Sequence, residues 1–235
     1  MRRIRDTIGL VLDLLKWPIL LFLMTSFLLS RSMDALTSFS FDSITPDLLH
    51  RFGPTIVVTS LLLFVLFRNR LNFWDTFHHE SVHAVVALFF FNRVVGFRVT
   101  DVHGGLTEYV GRSNWIIRLA PYFLPLVAGC VLVMAEIVES GYQAPFQHAG
   151  VVFYIIFLRG VYRQARPIQS DLQHSGILFS YGVIVLFNLM GIELMIAALS
   201  GTMSQRVMIY SDGIEQSLVL IQQITPALMQ DVMIL

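Results

Sequence analysis

The chain has 235 residues and a formal net charge of zero; 55% of its residues are apolar and only 14% charged, against roughly 25% charged in soluble domains. With a mean hydropathy of +0.69 this composition points to lipid, and the balanced charge gives no general pull toward nucleic acid. Cys130 is the single cysteine, which excludes an intrachain disulfide, a Cys-rich zinc site and a dithiol redox centre.

The N-terminus opens on Arg2, Arg3 and Arg5 and then turns apolar. Asp13 and Lys16 interrupt the run and no small-residue cleavage site follows, so the segment reads as a retained anchor helix. Six stretches approach the roughly 20 apolar residues that a spanning helix needs: 8–30, 52–67, 71–91, 115–138, 144–162 and 176–200. The expected fold is an all-α polytopic membrane protein, a bundle of about six transmembrane helices; the second and fifth stretches are short enough that four crossings would also fit. Trp17, Trp74 and Trp115 flank these stretches, where indole rings favour the membrane–water interface.

Three units follow: N-terminal anchor helices over 1–70, a core over 71–200 and a tail over 201–235. The three leading arginines, set against Asp34, Asp42 and Asp47 in the next loop, place the N-terminus in the cytoplasm, with Arg68 and Arg70 on the same side. Within the core, residues 93–114 exchange Leu/Phe runs for β-branched residues and glycines, which predicts a short β-hairpin. Its Gly104-Gly105 pair suits a tight turn, or lets a substrate backbone come close. In the tail, alternating polarity with Gly213 and Pro226 predicts short amphipathic helices.

The third stretch carries His79-Glu80-Ser81-Val82-His83. Two histidines four apart differ by about 40° around a helix, so both imidazoles reach one ion, and Glu80 beside them is placed to move a proton. This HExxH spacing is a zinc metalloprotease signature: the metal lowers the pKa of water to about 7 and polarises a scissile carbonyl. With seven His and six Glu in the chain, chance predicts about 0.005 such motifs. Ionisable groups at bilayer depth each cost on the order of 2.5–3.5 kcal/mol on insertion scales, so two His and a Glu in an apolar stretch need a partner that a metal supplies. His78 points about 100° away from His79 and reads as a neighbour of the site, not a ligand.

Catalytic zinc takes three protein ligands and leaves the fourth position open. Asp171, past Pro167 between the fifth and sixth stretches, is the leading candidate for the third; Glu108, His103, His148, His174 and Glu193 are rivals with blander roles in loops or at helix ends. A membrane HExxH, a Gly-Gly hairpin after it and an Asp downstream of a proline together resemble the site-2 protease family (M50B-like peptidases) over residues 71–200. The resemblance implies an intramembrane zinc endopeptidase, with His79, His83 and Asp171 holding Zn2+ and Glu80 as base. It also implies a substrate strand laid along Gly104 and Gly105, and a membrane-protein substrate met in the cell (inner) membrane. The chain departs from the family's pattern in lacking an Asn before Pro167 and in having Leu172, not Gly, after Asp171.

Two other classes remain. A non-catalytic relative that binds zinc structurally or recruits partners would need a fourth protein ligand, such as His103 or His148; intact Glu80 argues against it. A metal or proton transporter would be expected to show inverted repeats, which the sequence lacks.

Overall fold

The structure, a computed structural model, describes residues 2–30, 46–66, 72–100, 104–201 and 203–233. Arg31, Asp34, Asp42, Arg68, Arg70 and His103, used above for orientation or as a possible ligand, lie outside them.

In chain order the elements are α1 (Arg2–Leu14), α2 (Lys16–Leu29), α3 (Pro46–Leu61, continued by a π turn Leu62–Leu66), α4 (Asn72–Phe89), β1 (Arg93–Thr100), β2 (Gly104–Val110), α5 (Trp115–Leu119, continued by a 3-10 turn Ala120–Tyr122), α6 (Leu126–Ile137), α7 (Gln143–Gln164), α8 (Ser170–Ser175), α9 (Ile177–Ser200) and α10 (Met203–Met233). The chain is thus mostly helical with one two-stranded antiparallel sheet. That sheet is the hairpin expected after the HExxH helix; Phe97 opposes Thr107 and Val99 opposes Gly105.

The expectation of about six crossings, or four, meets two to four candidate spans. Among the described residues two helices are long and apolar enough to cross a membrane, Ser140–Gln164 and Ile177–Ser200; two bent pairs raise the number to four if each counts as one span. These are α1 with α2, bent by 63°, and α5 with α6, bent by 74°. The motif helix α4 is not among them. Its 18 residues reach only about 27 Å, and Asp75, His78, His79, Glu80 and His83 dilute its apolar character.

The bend between α5 and α6 positions the site. A straight crossing over 115–138 followed by a second over 144–162 would carry Asp171 to the face opposite the motif. Instead the chain breaks at Phe123–Pro125, and α6 and α7 form an out-and-back hairpin that returns α8 to the level of α5. Trp115, expected at the membrane surface, is buried here; its ring stands 5.3 Å from Phe179 and its Nε1 donates to the Leu12 carbonyl at 3.1 Å.

The N-terminal helices pack on this core through the two charges that interrupt their apolar run. Asp13 accepts from the Trp115 backbone N–H at 2.9 Å and from Arg118 at 2.8 Å, and Lys16 donates to the Ser175 carbonyl at 2.6 Å. The tail is one helix of 31 residues instead of several short ones. It lies along α2, where Ser217 meets Ser26 at 2.9 Å, and reaches α9, where Tyr210 donates to Glu193 at 2.7 Å.

Candidate metal centre

α4 supplies two imidazoles and α8 a carboxylate. His79 Nε2 and His83 Nε2 are 3.1 Å apart, and Asp171 Oδ2 lies 3.5 Å from the first and 3.3 Å from the second. A tetrahedral ion with ligands at 2.0–2.1 Å requires about 3.3–3.4 Å between ligand atoms, so the triangle has the dimensions of a zinc site. The donor set, two neutral nitrogens and one carboxylate oxygen, also suits zinc. Among the described residues these three form the one group of His, Cys, Asp or Glu close enough to share an ion.

Local structure explains each placement. His83 Nδ1 donates to the Ile117 carbonyl at 2.8 Å, which leaves the Nε2 lone pair for a metal. That carbonyl is fixed by the start of α5, where the buried Asn114 side chain caps the helix by accepting from the Ile117 N–H at 3.0 Å. His79 packs edge-on against the Tyr122 ring at 5.1 Å.

Asp171 sits in the first turn of the six-residue α8, which ends at Gly176, whose positive φ of 93° suits glycine, and turns directly into α9. Leu172, fully buried, plugs α8 into the core beside Phe179 and Val183, while Asp171 points toward the histidines. A large apolar residue after the Asp therefore has a structural use: it seats the short helix. Burial by itself would raise the Asp171 carboxyl, but His79 and His83, when protonated at Nε2, donate to it and hold the group well below the usual carboxylate range.

Glu80 is buried against the hairpin, where its Oε2 accepts from the Thr107 hydroxyl at 2.7 Å. Gly105 lies over the same side chain: a Cβ there would stand 2.8 Å from Glu80 Cδ and 2.7 Å from Thr76 Cγ2. Gly104 takes φ 77° at the turn, and a Cβ there would meet open space.

The rival ligands stand elsewhere. Glu108 packs across the hairpin against Gly96, His148 pairs with Thr55 at 2.8 Å, His174 with its own helix at Ser170, and Glu193 with Tyr210. His78 faces away from the metal triangle into an apolar cavity of about 370 Å³ between α4, α6 and α7, its ring 5.7 Å from Phe157.

Sequence reasoning missed Thr107, Arg118 and the pair Asp75–Arg159. The signal available was charge inside apolar runs, which singled out Asp13 and Lys16 but was not followed to Asp75 and Arg159.

A family model described as Peptidase M50B-like matches residues 54–230. No curated protein and no solved structure matches the chain.

Proposed function

Because the chain belongs to the M50B-like peptidase family, we propose that it is a zinc-dependent endopeptidase that cleaves peptide bonds in or near transmembrane segments of other membrane proteins. One observation carries this reading: three ligand atoms from two elements form a triangle of zinc dimensions, and a buried carboxylate adjoins it on the same helix.

Zinc, when bound, supplies a Lewis acid that makes water nucleophilic near neutral pH and polarises a carbonyl. The side chains do the rest. Glu80 takes a proton from the attacking water and hands it to the leaving amine. The Ile117 carbonyl keeps His83 in the tautomer that ligates, and Asp171 offsets part of the ion's charge. The substrate has to present an unwound segment, since helical amides in lipid are committed to their own hydrogen bonds. The hairpin offers a site for one: each of its two strands pairs only with the other among the described residues, so an outer edge is open to strand addition. The enzyme acts in the cell (inner) membrane with its N-terminus in the cytoplasm.

The test is zinc content by elemental analysis of the purified protein, His79→Ala and Asp171→Ala, beside cleavage of a substrate with one transmembrane segment by Glu80→Gln. Stoichiometric zinc that falls in both ligand variants, with zinc kept and cleavage lost in Glu80→Gln, supports the proposal. A purified protein without zinc overturns it in favour of a non-catalytic relative.

A further inference from the structure

In an HExxH enzyme the base works only if its carboxylate is held toward the attacking water, yet glutamate has three side-chain torsions to restrain. In this chain the restraint comes from β2. The Thr107 hydroxyl lies 2.7 Å from Glu80 Oε2 and 3.0 Å from the Glu80 backbone carbonyl. One hydroxyl thus stands within reach of both ends of the same residue. The charged oxygen is the stronger acceptor, so the proton goes to Oε2 and Oε1 stays free of this contact.

The hydroxyl reaches that position because of the residue two before it. Successive residues of a strand face opposite ways, so Gly105 and Thr107 share the side of β2 that lies on α4. At Gly105 the backbone crosses directly over Glu80 and Thr76, residues one turn apart on α4; a Cβ would overlap Glu80 and stand 2.7 Å from Thr76 Cγ2. No side chain at 105 and a hydroxyl at 107 are therefore two parts of one device.

We infer that Gly105 and Thr107 form a seat for the Glu80 carboxylate, with Thr107 a positioning residue for the general base and Gly105 the close approach that puts it in reach. The inference rests on the peptidase reading and adds two residues to it. It also gives Gly105 a use within the chain itself, distinct from contact with a substrate backbone. Thr107→Val keeps the shape of the side chain and removes the donor. Thr107→Ser keeps the donor. Gly105→Ala keeps the donor and pushes the strand off α4.

The experiment measures kcat, KM, zinc stoichiometry and thermal midpoint for full-length protein in detergent, with a substrate carrying one transmembrane segment. Thr107→Val and Gly105→Ala are expected to lose roughly 10- to 100-fold in kcat, the scale of a misplaced catalytic group, with KM within about threefold and zinc at wild-type stoichiometry. Thr107→Ser is expected to recover kcat to within about threefold. Thr107→Val with undiminished kcat overturns the seat, as does serine no better than valine, or a loss that follows zinc content or thermal midpoint instead of kcat. Glu80→Gln, run alongside, separates the two levels: if it still cleaves, the base assignment itself fails, whereas if it is inactive while Thr107→Val is not, only the seat fails.

Discussion

Nη1 of Arg159 on α7 donates to both carboxylate oxygens of Asp75 on α4, to Oδ1 at 2.9 Å and to Oδ2 at 2.6 Å, with both side chains buried. Asp75 lies one turn before His79 on neighbouring faces of the helix, so the pair fixes the part of α4 that carries His79 against a candidate membrane span. Arg163, about a third exposed, stands 3.9 Å from the same carboxylate, so removing Arg159 leaves the buried Asp75 with a looser partner; breaking a buried pair typically costs about 3–5 kcal/mol, whereas replacing both members with apolar residues of similar volume is often neutral. Arg159→Met is therefore expected to lower the thermal midpoint sharply, and Asp75→Leu combined with Arg159→Met to recover most of it. Thermal unfolding of the four proteins in one detergent reads this directly.

If the triangle holds zinc as proposed, its electrostatics predict how the ion is lost. Asp171 stays ionised down into acid, because its hydrogen bonds from the imidazoles outweigh the effect of burial. Its folded pKa is depressed, so its stabilising contribution is fully present above the usual carboxylate pKa of about 3.9 and fades only below that. Over the range between pH 7 and 5 protons compete with zinc for imidazole ligands, which bind a metal only when neutral. Zinc affinity is expected to fall over that range in the unaltered protein. Asp171→Asn is expected to bind zinc at least tenfold more weakly at neutral pH, as competition with a zinc-sensitive dye would measure.

The motif was legible because its chemistry is written in contiguous residues: His79, Glu80 and His83 lie within one helical turn and a half. The hairpin was legible too, because β-branched residues and glycines contrast with the Leu/Phe runs around them. Asp171 could be nominated from its place after Pro167, but its approach to the histidines depends on the break at Phe123–Pro125, which a hydropathy reading merges into one crossing. The count of six drops to at most four because α3, with 16 residues, and the polar-diluted α4 are not candidate spans, and the bends of 63° and 74°, which hydropathy does not report, interrupt two of those that remain. Thr107 was invisible: nothing local distinguishes a strand threonine that reaches a glutamate 27 residues earlier from one that faces solvent.

Arg118 is the point where three segments meet near the site. Its guanidinium donates to Asp13 of α1 at 2.8 Å and to Ser175 of α8 at 2.9 Å, while its own helix supplies the Ile117 carbonyl to His83. Arg118→Met keeps much of the apolar stem and removes every donor, so the Ile117 carbonyl and the turn that carries Asp171 both lose a tether. The expected outcome is a zinc affinity lower by roughly 10- to 100-fold, the usual scale for residues that orient metal ligands. Asp13→Asn, which retains an acceptor, is expected to be milder. Zinc titration of both variants, with circular dichroism to verify unchanged helix content, checks the ordering.

The long C-terminal helix makes the last prediction. α10 approaches α2 closely at Gly213, where a Cβ would run into the Ser26 carbonyl and stand 2.6 Å from Ser30 Cβ. One turn further on, the Ser217 hydroxyl meets Ser26 at 2.9 Å, buried between the helices. Small residues at these positions let two helices pack backbone to backbone, where association in lipid depends on van der Waals fit and interhelical hydrogen bonds. The obstacle to a larger residue at 213 is backbone, which cannot swing aside, so Gly213→Leu is expected to lift α10 off α2. Limited proteolysis then cuts the helix in the variant under conditions that spare the unaltered protein, whereas Gly129→Ala, at a helical glycine of α6 with nothing within 4 Å of its would-be Cβ, leaves the α2 contact intact. If cleavage of substrate changes in Gly213→Leu while zinc stoichiometry does not, the tail governs access to the site; if both hold, its contribution is to packing alone.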